Sequence, residues 1–250
     1  MAKLEPVSTT TPCQRCALRA LPIFRRLSEA ELTFVEKFKI GEMEVQAGSD
    51  ILLAGTHSAH LFTIYGGWCF RYDLMEDGRR QIHSLLLPGD FIGLQTEMLG
   101  TMQHSVQSLT DVRLCVFARE RIWTIYESFP ELAFDLTWAA ACGERTVEVA
   151  LSNVGQRPAF ERLAALILHL YRQLEALQMV RDGSILWPLT QQHVADLLGL
   201  SNVHVNRVIR RLVDQGLVRP DGRRLKIIDL PALAEIVGTD TEKPVRQPLV

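Results

Sequence analysis

The stretch Leu189–Val213, LTQQHVADLLGLSNVHVNRVIRRLV, decides how the chain is read. Thr190 is a strong N-cap, and Val194, Leu197 and Leu198 then fall at i, i+3, i+4, giving one inward-facing helical stripe. Gly199 closes this helix, and the small Ala195 lets a neighbour approach. Ser201 caps a second helix, in which Val205, Val208, Ile209, Leu212 and Val213 recur at i, i+3, i+4, i+7, i+8 and are expected to be buried. Asn202, Val203, Asn206, Arg207 and Arg210 are left facing outward, mostly on its N-terminal side. The pattern is that of a helix-turn-helix whose second helix suits a major groove. The plainer alternative is a helical hairpin with a solvated basic face.

The next residues, GLVRPDGRRLKIIDL, favour the first reading. Leu217-Val218 and Leu225–Ile228 are short apolar runs separated by an Asp221-Gly222 hairpin signal, so a wing follows the two helices. Between His204 and Lys226 there are seven Lys/Arg against two acids, a local charge of +5 in a chain of net charge −2. Positive charge is thus concentrated where phosphates would lie.

At 250 residues, 47% hydrophobic and 22% charged, the chain can form two domains with real cores. No apolar run is long enough for a membrane helix and the first eleven residues carry no signal-peptide core, so a cytoplasmic location without membrane association is expected. Five cysteines argue against a disulfide framework; two form a CxxC, Cys13 and Cys16, a spacing linked to metal or redox roles. The polar ends, residues 1–12 and about 240–250, are expected to fray.

Ser28 with Glu31 makes a capping box before a helix. From Ile40 to about Phe117, β-rich runs (Glu42–Val45, Ile51–Leu53, His60–Tyr65, Trp68–Asp73, Gln81–Leu87, His104–Ser108 and Val112–Phe117) alternate with Gly, Asp and Pro, as in a sandwich or barrel able to enclose a small ligand or simply a packed core. Pro130 to about Asn153 reads as one long helix. Its stripe Leu132, Leu136, Ala139, Gly143, Thr146, Ala150 and Asn153 is heptad-like and suits a dimer seam, while Phe134, Trp138 and Ala141 are expected to face the barrel. The alternative is packing on its own chain alone. Gln156-Arg157-Pro158 breaks this helix, and another begins near Phe160.

The order barrel, long helix, winged helix, with DLMEDGRRQIHSLLLPGDFIG (Asp73–Gly93), VRLCVF (Val112–Phe117) and LTQQHVADLLGLSNVHVNRVIRRLVDQGLV (Leu189–Val218), resembles the CRP/FNR family of bacterial transcription regulators across nearly the whole chain, nearer its FNR and FixK branch. The resemblance implies an α+β chain: an N-terminal segment over 1–20, a cyclic-nucleotide-binding-like barrel (jelly roll) over 21–129, a dimerisation helix over 130–155, a winged helix-turn-helix over 156–238 and a flexible tail over 239–250. It also implies a homodimer on a palindromic promoter site and contact with RNA polymerase, with no catalysis. The Arg-Ser that holds a cyclic phosphate in the cyclic-AMP branch is replaced by His104-Ser105, the Gly-Glu pair by Gly89-Asp90, and no Arg stands between Gly89 and Asp111, so cyclic nucleotide binding is disfavoured.

The resemblance assigns Cys13, Cys16 and Cys115 to three of the four ligands of an oxygen-sensitive iron–sulfur cluster, but Pro22 stands at the remaining position and a [4Fe–4S] cluster normally needs four thiolates. Cys69 or a non-cysteine ligand could stand in. A redox-active thiol set, a small molecule in the barrel and a FixK-like regulator with no effector are the alternatives. Cys69, Cys115 and Cys142 taken singly, and His60, His83 and His104 as haem ligands, have structural readings that compete. A thiol oxidoreductase using the CxxC is the alternative of a different class, although Cys13 is not at a strand-to-helix junction.

On the DNA side, Arg207 matches the family arginine that would read a guanine edge, whereas the glutamate four residues before it is Val203, followed by His204. A half-site that keeps its G with altered preference beside it is therefore expected. Asn202 and Asn206 are the additional candidate base readers. Thr190, Ser201, Arg210, Arg223 and Arg224 are the expected phosphate contacts.

Overall fold

The computed structural model describes residues 5–7, 10–238 and 247–249, so most of the tail expected over 239–250, and Met1–Leu4, lie outside the described residues. The chain divides into two compact units, Met1–Arg145 with Arg246–Val250, and Thr146–Val245.

In the first unit, β1 (Glu5–Pro6) precedes α1 (Glu29–Phe38), whose capping box is complete: the Ser28 hydroxyl accepts from the Glu31 amide and the Glu31 carboxylate accepts from the Ser28 amide at 2.6 Å. The strands β2 (Lys39–Val45), β3 (Asp50–Leu52), β4 (His60–Gly66), β5 (Cys69–Leu74), β6 (Arg80–Leu86) and β7 (Phe91–Ile92) follow. After them come α2 (Leu94–Leu99), β8 (Ser105–Ser108), β9 (Val112–Ala118) and α3 (Ile122–Ser128). Each of the expected β-rich runs contains a strand. The two-residue strands β1 and β7 and the short α2 are too brief for periodicity to mark them.

The strands form sheets in the orders β1-β2-β9-β4-β7 and β3-β8-β5-β6. Phe62, Ile64, Cys69, Leu86, Val106, Leu114 and Val116 fill one core. Alternation along β9 turns Leu114 and Val116 into that core, while Phe117 joins a second core with Phe34, Phe38, Ile122, Ile125, Leu132 and Leu136 on the helical side.

The long helix α4 (Pro130–Gln156) forms as expected, but the stripe expected as a seam begins in the chain's own core. Leu132 and Leu136, the start of the expected seam, are 0% and 1% exposed in the chain's own core, whereas Phe134, expected to face the barrel, is 69% exposed. Gly143 lies on the sheet side, where a Cβ would meet the Arg71 guanidinium at 3.6 Å. The large exposed apolar side chains of α4 are Phe134, Val147, Val149 and Leu151. A heptad-like repeat marks an apolar stripe without saying which surface it meets, and here its first turns meet the chain itself.

In the second unit, α5 (Ala159–Ala176) buries Leu163, Ile167, Leu170 and Leu174. Next come β10 (Ser184–Leu186), α6 (Gln191–Leu198), α7 (Asn202–Asp214), β11 (Val218–Asp221), β12 (Arg224–Ile227) and α8 (Leu230–Val237). The hairpin β11–β12 forms at the Asp221-Gly222 turn, with Gly222 at φ 57°, and gains a third strand, β10, in the order β10-β12-β11. Arg157, just before α5, and Arg162, on it, donate to the last carbonyls of α8 and α6, at Val237 and Leu198, tying the start of α5 to both helix ends.

Candidate nucleic-acid interface and thiol cavity

The helix-turn-helix is built by its caps. The Thr190 hydroxyl accepts from the His193 amide at 3.2 Å, and His193 Nδ1 accepts from the Thr190 amide, closing a capping box with an imidazole in the usual Glu position. Gly199 ends α6 in the left-handed region, and Ser201 caps α7 by accepting from the His204 amide. Val205, Val208 and Leu212 are buried as expected; Val213, expected to be buried with them, is 37% exposed.

Across the outward side of α7 lie Asn202, Val203, His204, Arg207 and Arg210, all exposed, with Asn206 half-buried. Val203 is 72% exposed. Burial of Val205 and Val208 holds α7 so that Arg207, on the opposite side, reaches outward with a full set of donors. Two expected contacts are already engaged within the chain. The Asn202 amide donates to Gln192 Oε1 at 2.7 Å, and Gln192 in turn donates to Asp196, so these groups brace α6 against α7. Arg224 donates to the Ser184 carbonyl at 2.7 Å and holds the wing to β10, while Arg223 stands exposed at the wing tip. Gln191 and Gln192, exposed at the start of α6, were not singled out from sequence; their place directly after the Thr190 cap, at the first two helical positions, is the signal that would have found them.

Three of the five cysteines meet in the first unit. Cys13, Cys16 and Cys115 line one small cavity of about 20 Å³, together with Arg19, Lys39, Thr63, Phe117 and Leu249. The β2–β9–β4 register explains Cys115: Glu42, Cys115 and Thr63 are direct partners across three strands and share the helix-facing side. Glu42 is buried beneath them and accepts from Lys39, Arg113 and the Thr11 amide. Burial raises its carboxyl, but these hydrogen bonds outweigh burial and hold it below the ordinary value. Burial likewise raises the Cys13 thiol against the pull of Lys39 and Arg19, and pushes Cys115 up to about 12. Both thiols are therefore protonated at neutral pH.

This donor set does not fit a four-thiolate cluster. Pro22 is exposed and does not line the cavity. Cys69 is wholly buried in the core between the two sheets, across β9 from the cavity, and Cys142 is on α4. A volume of about 20 Å³ holds about one water molecule. Among the described residues no group of three or more His, Cys, Asp or Glu is arranged to hold a metal ion. His83 packs against Asp73 at 3.4 Å and edge-on to His104, whereas His60 is on β4 in the other sheet.

At the position where the resemblance would put a phosphate-holding arginine stands His104, whose imidazole burial lowers to about 4, with Arg71 and His83 adding to the shift. It is neutral. A cation does stand nearby, before Gly89 in the chain: Arg71, on β5, whose Nε is buried without a partner and whose Nη2 donates a long bond, 3.4 Å, to the Phe91 carbonyl.

A jelly-roll domain followed by a long helix and a winged helix-turn-helix with an outward cationic helix defines a DNA-binding regulator. A Crp-like helix-turn-helix domain matches residues 161–236 and a cyclic nucleotide-binding domain matches residues 42–129. The chain is 28% identical to the transcriptional activator protein FnrL of Cereibacter sphaeroides over 244 residues, covering 92% of this chain and 93% of that protein. To the nitrogen fixation regulation protein FixK of Bradyrhizobium diazoefficiens it is 27% identical over 226 residues, covering 90% and 93%. The solved structure of FixK2 from Bradyrhizobium japonicum superposes with a TM-score of 0.72 at 23% identity, over 80% of this chain and 98% of that one. The chain belongs to the CRP/FNR family, on its FNR and FixK branch, and is a DNA-binding transcription regulator rather than an enzyme. No helix among the described residues is long and apolar enough to cross a membrane.

Proposed function

We propose that the chain acts in the cytoplasm as a homodimer that seats two copies of α7 in successive major grooves of a palindromic promoter site and regulates transcription through contact with RNA polymerase. The observation that carries this reading is the rigidly capped α7, whose exposed Arg207 and Arg210 have no hydrogen-bond or ion-pair partner among the described residues. Arg207 reads guanine by two hydrogen bonds, Asn206 and His204 border it, and Val203 meets an apolar base edge. Arg210, Arg223 and the capped N-termini at Thr190 and Ser201 hold phosphates.

The dimer surface on this reading is the exposed side of α4 around Phe134 and Leu151. Sedimentation velocity with DNA carrying the selected site should give two protomers per duplex for the native chain and a monomer for Leu151→Glu. One native protomer per symmetric site would refute the dimer. The signal enters, on this reading, through the thiols at Cys13, Cys16 and Cys115 without an iron–sulfur cluster. Iron and sulfide at four atoms each per chain after anaerobic purification would overturn that.

A second reading has its own support. The Arg71 Nε and the Ser84 hydroxyl, on residues that are direct partners across β5–β6, are buried donors without partners among the described residues, Ser84 being 5% exposed. They suit a small anionic effector between this sheet and α4. Titration calorimetry with small carboxylates and phosphates tests it; silence across the panel removes it.

A further inference from the structure

The segment Gln247–Leu249 lies against the first unit. Gln247 pairs with Phe24 in a parallel bridge: its amide donates to the Ile23 carbonyl at 2.7 Å and its carbonyl accepts from the Arg25 amide at 2.8 Å. Two residues on, the Leu249 carbonyl accepts from Arg19 at 2.8 Å. The Leu249 side chain is 3% exposed and forms part of the wall of the cavity that Cys13, Cys16 and Cys115 share. In the covalent chain this segment follows the DNA-binding domain, yet it closes the thiol cavity of the sensor domain.

We propose that residues 247–249 are a plug that shuts the three-thiol site, so that any group added to Cys13 or Cys115 and the Leu249 side chain compete for the same space. The inference takes from the proposed function only that these thiols form one site, and it stands whether or not they carry the signal. Three features support it. The cavity is too small to accept an adduct while Leu249 is seated. The described part of the plug is held by two backbone hydrogen bonds, one Arg19 contact and the single buried side chain of Leu249, so its release is a local opening and not an unfolding. Finally, the segment that receives it runs into Arg25, which donates its amide to Gln247 and whose guanidinium bonds Glu31 and, on α4, Asp135. Seating of the plug and the position of the first turns of α4 thus share one residue, and occupancy of the thiols is linked to it in both directions.

The test uses the full chain and iodoacetamide, with each cysteine followed by peptide mass spectrometry. At each thiol the sulfur forms a bond to carbon as the carbon–iodine bond breaks, releasing iodide and passing the thiol proton to solvent. Leu249→Asp should raise the labelling rate of Cys13 and Cys115 by on the order of tenfold, because labelling then no longer waits on local opening. Gln247→Pro, which removes the N–H given to Ile23 without touching the cavity, should act in the same direction by about threefold. Cys69, wholly buried in the core between the sheets, should stay unreactive in all three proteins. Unchanged rates at Cys13 and Cys115 in both variants, or a rise at Cys69 equal to theirs, would overturn the plug.

Discussion

The α7 face and the thiol cavity place their cations in opposite ways. On α7, Arg207 and Arg210 stand exposed and without partners among the described residues; around the cavity, Lys39 and Arg113 converge on a carboxylate that is 2% exposed. Charge left without a partner on a rigid element is available to an outside one, and phosphates and guanine edges are its natural complement. Charge closed on itself in a buried network positions neighbours and costs a great deal to break. The same residue types therefore mark a recognition surface in one unit and an internal scaffold in the other.

Breaking the buried network should give the largest effect. Glu42→Gln strands two cations under the cysteines and should lower stability by about 3 kcal/mol, at the low end for a buried pair because Arg113 is partly exposed; urea unfolding reads it. Since the Glu42 carboxyl is held below its unfolded value, its contribution is present at neutral pH and fades as pH falls through the folded value. The native chain should thus lose stability in acid more steeply than Glu42→Gln, and parallel pH curves would show that the network contributes nothing.

Opening the other side of the comparison, Arg207→Ala should cost about 1–3 kcal/mol on the specific site and little on random DNA, a split that gel-shift titrations of both duplexes would expose. Ser201→Ala removes the α7 cap and should cost about 1 kcal/mol of stability, measured as a shift in the urea midpoint with unchanged slope. The smallest effect is expected at the wing tip. Arg223→Ala should weaken all sequences alike and reduce the slope of log affinity against log salt by about 1; a loss confined to one sequence would make the wing a base reader.

Much of this architecture could be read before any coordinates, and the exceptions share a cause. Caps and periodicity are local, so Ser28, Thr190 and Ser201 and the stripes they introduce were legible, as was the Asp221-Gly222 turn. What a surface meets is not local. The stripe beginning at Leu132 pointed to a partner helix and is found in the chain's own core, while Phe134 points outward. The engagement of Asn202 by Gln192 and of Arg224 by Ser184 depends on contacts across ten and forty residues, which no spacing rule reports. Cys115 beside the CxxC was implied by resemblance alone; the register that sets it between Glu42 and Thr63 supplies the physical reason. Neither Arg71 nor the return of Leu249 to the cavity left any trace in composition or spacing.

The central claim, that paired copies of α7 read a two-fold site with Arg207 on guanine, is tested most directly by selecting binding sites from random duplex DNA with the native chain and with Arg207→Ala. The account predicts a palindrome whose half-site centres lie about 10–10.5 base pairs apart, with one G fixed in each half by the native chain and released by the variant while the rest of the site persists. An asymmetric site, or the same G selected equally by both proteins, would contradict it.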